Sequence, residues 1–185
     1  MSQIVIDSFR PGDALDVVNV IVPIQSQEFG IAITAEDQPD LAEIPDFYQT
    51  GAGGFWVARD GGRIVGTIAL KDIGGGNGAL RKMFVLASHR GREHGVAARL
   101  LATLLDHARE RGLTGIWLGT TDKFLAAHRF YEKQGFRQVA KTELPPGFLF
   151  MPVDTRFYGL DLTEGAPAAE ARAGSPSSLI SDNLP

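Results

Sequence analysis

The sequence contains no cysteine, which excludes disulfide bonds, thiolate metal ligands and a covalent mechanism through a cysteine nucleophile. It also contains no apolar run near the roughly 20 residues that a membrane-spanning helix needs, and no signal peptide opens it. The four histidines do not repeat at the spacing of a metal-ligand pair, and most of them are expected at the solvated surface. We therefore expect a cytoplasmic protein with no membrane partner and no bound metal ion.

Lysine and arginine are missing between Pro11 and Ala58, although the same stretch holds eight acidic residues. Because the whole chain carries a net charge of −4, this stretch at −8 leaves the remainder at +4. An acidic half beside a basic half suggests a cationic substrate next to an anionic cofactor, while a solvated acidic helix face explains the pattern equally well. No concentrated basic stripe with exposed aromatic residues is present, so nucleic-acid binding is not expected.

The length of 185 residues and the apolar content of 44% are typical of one globular domain with a full core. After Thr163 the composition changes to mainly Ala, Gly, Pro, Ser and Glu, which cannot form a core of its own. The sequence therefore predicts one domain over residues 1–163 and a flexible tail over residues 164–185.

Hydrophobic periodicity predicts strands and helices in one α/β domain. Asp60-Gly61-Gly62 has the residue types of a hairpin turn, so the strands on either side of it are expected to be antiparallel. Pro23 is expected to kink or end the first helix. The predicted strands cover residues 3–9, 55–59, 63–70, 79–86, 115–119, 136–141 and 155–162, and helices are predicted at residues 13–22, within 34–48, and at 96–108 and 123–134.

A basic turn with two glycines joins the strand at residues 82–85 to a helix that begins near Val96. The turn reads Arg90-Gly91-Arg92-Glu93-His94-Gly95-Val96-Ala97. A turn that opens a helix in this way presents free backbone N–H groups and the positive end of the helix dipole. The pattern indicates a site for a phosphate or pyrophosphate, although a plain strand–turn–helix corner would use the same residue types.

A second motif lies one strand further along the chain, at residues 126–136, and reads Ala-Ala-His-Arg-Phe-Tyr-Glu-Lys-Gln-Gly-Phe. Together and in this order, the two motifs resemble the GNAT superfamily of N-acetyltransferases, which use acetyl-CoA. The resemblance extends from Ile4 to Leu162. It implies a mixed, mostly antiparallel sheet that splays open, with helices on both faces.

The family pattern for pyrophosphate binding, Gln/Arg-x-x-Gly-x-Gly/Ala, fits Arg92-x-x-Gly95-x-Ala97 in this chain. A competing register that begins at Arg90 would place Glu93 where the family has glycine, and that carboxylate would repel a pyrophosphate. We therefore prefer the first register. The residues that the resemblance assigns to acetyl-CoA binding are Phe84, Val85, Arg90, Gly91, Arg92, Gly95, Val96, Ala97, Ala98, Ala127 and Phe130.

Two catalytic roles also follow from the resemblance. The backbone N–H of Val85 would polarise the thioester carbonyl, and Tyr131 would protonate the departing thiolate. A phenol with an ordinary pKa near 10 is a suitable acid for this step, although a buried core tyrosine would also fit the sequence. Phe124 departs from the family, which often has Asn at that position, so one contact to the pantetheine arm is expected to be missing.

Neither the motifs nor the resemblance identifies the general base that must take a proton from the amine. The candidates are Glu28, Asp72, Glu93, His94 and His128.

The acetyl acceptor is expected to be a small cationic amine, because the acidic stretch corresponds to the acceptor side of the family. Two alternatives stay open: an enzyme that acetylates a protein N-terminus or a lysine side chain, and a non-catalytic module that binds acyl-CoA. A homodimer is possible, since residues 145–162 resemble a segment that pairs subunits in some relatives.

Overall fold

The computed structural model describes residues 3–163, so the predicted tail at residues 164–185 lies outside the described residues. Within these residues the strands are β1 (Ile4–Ser8), β2 (Gly54–Asp60), β3 (Arg63–Gly74), β4 (Asn77–Val85), β5 (Gly115–Thr120), β6 (Arg137–Val139) and β7 (Arg156–Asp161). These seven strands form one sheet in the order β1-β2-β3-β4-β5-β7-β6. Every neighbouring pair is antiparallel except β4 and β5, which confirms the mixed, mostly antiparallel sheet.

In the part of the chain that the structure describes, five α-helices cover the two faces of the sheet. Helices α1 (Ala14–Pro23), α2 (Pro39–Ala42) and α3 (Ile44–Phe47) pack on one face, while α4 (Val96–Glu110) and α5 (Leu125–Lys133) pack on the other. The prediction of helices on both faces is thereby confirmed. None of these helices combines the length and apolarity that crossing a membrane requires, within the range that the structure describes.

The two central strands part after a short contact. The parallel pairing of β4 with β5 joins residues 77–79 to residues 115–117 and then stops, although both strands continue. On its other edge β4 stays paired with β3, with a bulge that falls at Lys82 and Met83. Lys82 has a φ of 53°, the left-handed region that non-glycine residues rarely adopt. The result is a V-shaped opening between β4 and β5, as the resemblance implied.

Helix α4 anchors one face of the sheet. Its buried residues recur at helical spacing and form one apolar stripe, because positions three and four apart share a face of a helix. A side chain at Gly66 of β3 would press against Leu100 and Val96, so glycine there lets the helix approach the sheet closely. The buried residues of the stripe are Val96, Leu100, Leu101, Leu104 and Ala108.

The first helix changes its geometry instead of stopping. The α-helical turns end at Pro23, and residues Ile24–Glu28 continue as one π-helical turn. Proline has no backbone N–H, so it removes one α-helical hydrogen bond and permits the wider turn. This turn brings Gln25 and Phe29 to the mouth of the opening between β4 and β5.

Leu104→Ala is expected to lower the free energy of unfolding by about 2–5 kcal/mol, because a fully buried leucine leaves a cavity when it is truncated. The matched control is Leu15→Ala on α1, where the leucine is 71% exposed and the change is expected to stay within about 0.5 kcal/mol. Urea unfolding of both variants measures the difference. Equal losses would contradict the placement of Leu104 in the core.

Candidate active site

The opening between β4 and β5 forms a pocket of about 800 Å³. One wall is the second half of β4 and the turn that follows it, and the opposite wall is the end of β5 together with α5. The π-helical turn and the loop to α2 close one side, and the segment between β6 and β7 closes another. The lining residues fall within 24–38, 71–98, 118–134 and 148–154.

The N-terminus of α4 opens into this pocket. Gly95 is the N-cap residue with a φ of 61°, and no side chain caps the helix. The first hydrogen bond of the helix runs from the Arg99 N–H to the Gly95 carbonyl, so the N–H groups at residues 96–98 have no partner within the helix. Ala97 and Ala98 line the pocket, whereas the Val96 side chain is buried in the core and offers only its backbone.

Arg90 fixes the turn from Gly91 to Gly95 to the rest of the site. Its Nε donates to the Val85 carbonyl at 2.8 Å, and its guanidinium forms a bidentate ion pair with Glu28. This pair holds the pKa of Glu28 below its usual range. Arg90 therefore already has an anionic partner, while Arg92 is exposed at the pocket rim.

The backbone of Val85 points into the pocket. The Leu86 N–H donates to the Val65 carbonyl of β3 at 2.9 Å. Since N–H groups alternate in direction along a strand, the Val85 N–H points away from β3 and toward β5, which has already diverged. Arg90 reaches the Val85 carbonyl from that same side, and the neighbouring Phe84 side chain also lines the pocket.

Tyr131 lines the pocket from α5 and is only 4% exposed. Within residues 3–163, no hydrogen bond engages its hydroxyl. Burial raises the pKa of Tyr131 far above its ordinary value, because a phenolate would lose its hydration there. The group therefore stays protonated and free to donate. Ala127 and Phe130 line the pocket beside it.

Phe124 occupies the position where the family often has Asn, and it serves as an aromatic contact. Its ring packs edge-on against Phe29 at 4.6 Å between centroids and against Phe84 at 6.3 Å. The three rings connect the π-helical turn, β4 and the start of α5. Packing thus replaces a polar contact at this corner of the pocket.

The five candidates for the general base do not reach the pocket with a free group. Asp72 accepts hydrogen bonds from the N–H groups of Ala52 and Gly74, which lower its pKa. Glu28 is paired with Arg90, as described above. Glu93 and His94 are exposed in the turn and do not line the pocket.

His128 is a buried structural residue. Its Nε2 lies 2.9 Å from the Thr121 carbonyl and its Nδ1 lies 3.2 Å from the guanidinium of Arg156. A carbonyl requires a donor and a guanidinium requires an acceptor, so these partners fit the neutral ring protonated on Nε2. The expectation of mostly solvated histidines was wrong: His89 and His107 are half-buried and hydrogen-bonded as well, and His94 is the exposed one.

The charges that line the pocket differ from the expectation based on the sequence. None of the eight acidic residues between Pro11 and Ala58 is among the lining residues. The pocket therefore does not support the interpretation of the acidic stretch as the wall facing a cationic substrate. Among the described residues, the charged lining consists of one carboxylate, Asp154, and eight cations: Lys71, Arg81, Lys82, Arg90, Arg92, Lys123, Arg129 and Lys133.

Lys82 is an ion-pair partner of one carboxylate in the acidic stretch. Its Nζ lies 2.6 Å from Oε1 of Gln38 and 3.3 Å from Oδ2 of Asp40. The amides of Gln25 and Gln38 bond each other in both directions, and the Tyr48 hydroxyl donates to Asp40. Burial lowers the pKa of Lys82, while Asp40 opposes that shift. This network ties the bulge of β4 to the helices on its face of the sheet.

Asp154 is a lining residue that no pattern in the sequence selected. It follows a segment rich in proline, without a periodic pattern or a motif around it. Its Oδ2 accepts a hydrogen bond from the Met151 N–H at 3.2 Å. Burial raises the pKa of its carboxyl group.

Within residues 3–163, no cluster of three or more His, Asp or Glu side chains could hold a metal ion.

Gly95→Ala is expected to lower the free energy of unfolding by roughly 1–2 kcal/mol, since alanine is strained at a φ of 61°. An added Cβ meets no atom within 4 Å there, so the cost comes from the backbone conformation alone. Gly12→Ala is the control, because Gly12 has equally open space and no positive φ. Similar urea unfolding curves for the two variants would refute the left-handed N-cap.

A family model described as the acetyltransferase (GNAT) family matches residues 19–136 of the chain. N-acetylaspartate synthetase from Danio rerio is 35% identical over 123 residues, which is 64% of this chain and 43% of that protein. The chain thus spans less than half the length of this curated relative.

Solved structures share the fold over most of the chain. An acetyltransferase of the GNAT family from Staphylococcus aureus Mu50 is 36% identical, with a TM-score of 0.82, over 86% of this chain and 99% of that one. A Salmonella typhimurium protein solved with its cofactor acetyl-CoA is 20% identical with a TM-score of 0.66, over 89% of this chain and 97% of that one.

Proposed function

Because this chain belongs to the GNAT family of acetyltransferases, we propose that it transfers the acetyl group of acetyl-CoA directly to a primary amine. The observation that carries the proposal is the meeting of three features in one pocket. These are the uncapped N-terminus of α4, the inward-pointing N–H of Val85 and the buried, free hydroxyl of Tyr131. Each feature alone is common in proteins. Together they can bind an anion, polarise a carbonyl group and protonate a leaving group.

The residues of the turn fit the pyrophosphate of acetyl-CoA. The N–H groups at residues 96–98 and the helix dipole favour an anion at this end of the pocket. Arg92 adds a positive charge at the rim, and the Arg90–Glu28 pair holds the turn in place. When bound, acetyl-CoA supplies an activated acetyl thioester. The diverging strands leave room between β4 and β5 for its narrow arm.

The backbone N–H of Val85 and the side chain of Tyr131 would act on different atoms of the thioester. The N–H would donate to the carbonyl oxygen and stabilise the negative charge that develops there during attack. Tyr131 would give its proton to the sulfur as the thiolate leaves. Because burial raises its pKa, the hydroxyl is protonated before the reaction and can donate, although the same shift makes it a weaker acid.

The walls on several sides of the pocket support a small acceptor over a protein chain. The π-helical turn and the segment at residues 148–154 both contribute walls, which leaves less room for an extended peptide. A non-catalytic acyl-CoA module has no use for a tyrosine hydroxyl kept free in a buried position. The Danio rerio relative named above is a synthetase of N-acetylaspartate, a small molecule.

Tyr131→Phe is expected to lower kcat about tenfold or more, because the thiolate loses its acid, while the affinity for acetyl-CoA changes little. The measurements are thiol release under saturating substrate and acetyl-CoA binding by calorimetry. Phe136→Leu is the control for local packing, since the Phe136 ring packs against Tyr131 at 5.5 Å between centroids and does not line the pocket, and the change leaves the hydroxyl in place. Unchanged kcat in Tyr131→Phe would remove Tyr131 from the mechanism.

The proposal as a whole is tested by thiol release from acetyl-CoA with pooled small amines, and with a pool of acids that lack an amine as the control. Release that requires the amine pool supports acetyl transfer. Tight acetyl-CoA binding without release in either pool, or with a panel of peptides, would instead identify a binding module.

A further inference from the structure

Arg81 presents an unpaired positive charge at the end of the pocket away from α4. Within residues 3–163, no carboxylate lies within ion-pair distance of its guanidinium. The group stacks over the ring of Phe47 at 5.7 Å, and its Nη2 lies 3.3 Å from the sulfur of Met151. A half-buried guanidinium with these weak partners, and only a longer-range attraction to Asp154, favours an anion, above all a carboxylate that can bind it in a bidentate manner.

Lys71 strengthens the positive charge at the same place. In the register of β3 and β4, Ala69 faces Arg81 and Lys71 faces Ala79, so Lys71 and Arg81 are diagonal neighbours on one face of the sheet. The Lys71 Nζ donates to the Phe47 carbonyl at 2.8 Å, which is a neutral partner. Two cations therefore share one corner of the pocket, and neither has a carboxylate within ion-pair distance among the described residues.

Asp154 lies close to this corner and supplies the opposite charge. Met151 touches both groups: its sulfur contacts Arg81, and its N–H donates to the Asp154 carboxylate. The carboxylate lies against Gly119 of β5, where an added Cβ would collide with it. Glycine at this position is thus what allows Asp154 to lie along the strand and into the pocket.

Asp154 and Tyr131 approach β5 from opposite faces. Successive side chains of a strand alternate between faces, so Leu118 and Gly119 point to different sides. Leu118 packs in the same core cluster as Tyr131, whereas Gly119 faces Asp154. The free hydroxyl and the carboxylate therefore flank the opening between β4 and β5. Such an arrangement separates an acid for the leaving group from a base for the attacking group.

We propose that the acetyl acceptor is an amino acid or another small amine that carries a carboxylate, with Arg81 binding the carboxylate and Asp154 receiving the amine. This inference rests on the proposed acetyl transfer and assigns the substrate class of that site. Lys71 adds to the field at the carboxylate, and the raised pKa of Asp154 suits a group that takes a proton from an ammonium ion.

The proton transfers balance with these two side chains. The ammonium group of the acceptor loses one proton to Asp154, and the free amine attacks the acetyl carbonyl. A C–N bond forms and the C–S bond breaks, while Tyr131 gives its proton to the sulfur. The second proton lost by the nitrogen returns to Tyr131 through solvent, and Asp154 releases its proton to bulk water.

The test compares acceptors that differ in one group. Each common amino acid is assayed for thiol release beside its carboxamide and its decarboxylated amine, with the full-length chain and saturating acetyl-CoA. At least one free amino acid is expected to exceed its carboxamide in kcat/KM by roughly tenfold to a hundredfold, the size expected for a charged hydrogen bond. Equal rates for acid, carboxamide and plain amine would overturn the proposed class and leave acetyl transfer intact. No release with any acceptor would reject both proposals.

Variants then test the two residues. Arg81→Gln is expected to lower kcat/KM for the preferred amino acid roughly tenfold to a hundredfold and to leave its slow carboxamide within about threefold, while Arg81→Lys restores part of the loss. Equal losses for acid and carboxamide would assign Arg81 a structural role and contradict the inference. Arg111→Gln, at the exposed end of α4, controls for the loss of one positive charge.

Asp154→Asn is expected to lower kcat about tenfold or more, with the acetyl-CoA dissociation constant unchanged. Asn keeps the size of the side chain, and the thermal midpoint of the variant reports whether the fold persists. Full activity in a folded Asp154→Asn variant would exclude Asp154 as the group that receives the amine. Asp106→Asn on the exposed surface of α4 is the matched control.

Discussion

The short contact between β4 and β5 is the constraint on which the site depends. Neighbouring strands ordinarily satisfy each other's backbone groups along their whole length. Here the ladder ends after residues 77–79 and 115–117, and the following backbone of β4 turns its N–H and carbonyl groups toward open space. Those groups require water or a ligand as partners. The family fold therefore contains a binding site as a direct result of its hydrogen-bonding pattern, before any side chain is considered.

Two polar networks keep the opening in shape from the side of the first three helices. The Arg90–Glu28 pair connects the turn before α4 to the π-helical turn, and the network of Lys82 connects the bulge of β4 to Asp40. In each case a cation from the pocket wall meets a carboxylate from the acidic stretch. The acidic residues thus support the wall from behind, and the cations that remain unpaired face the cavity.

Periodicity and motifs predicted the strands, the helices and the turn at Arg90 because these depend on neighbours in the sequence. The family identification, which followed from them, is confirmed. That the acidic residues lie behind the pocket wall and do not line the pocket was not predictable, because a charge count does not show where a side chain points. Asp154 was missed because its position arises from contact with Gly119, which is distant in sequence. The roles of Val85 and Tyr131, the location in the cell and a possible homodimer stay predictions.

Asp154 lies beyond the matched family region, on a segment that is separate in sequence from the rest of the site. Residues 19–136 hold the turn, the diverging strands and the tyrosine, whereas Asp154 stands on the segment between β6 and β7. That segment has no regular strand or α-helix at residues 144–155, but Leu144 and Phe148 pack against the sheet, so those two positions are constrained while exposed ones can vary as in other loops. Exchanging it between relatives offers a route to new acceptors on an unchanged donor platform.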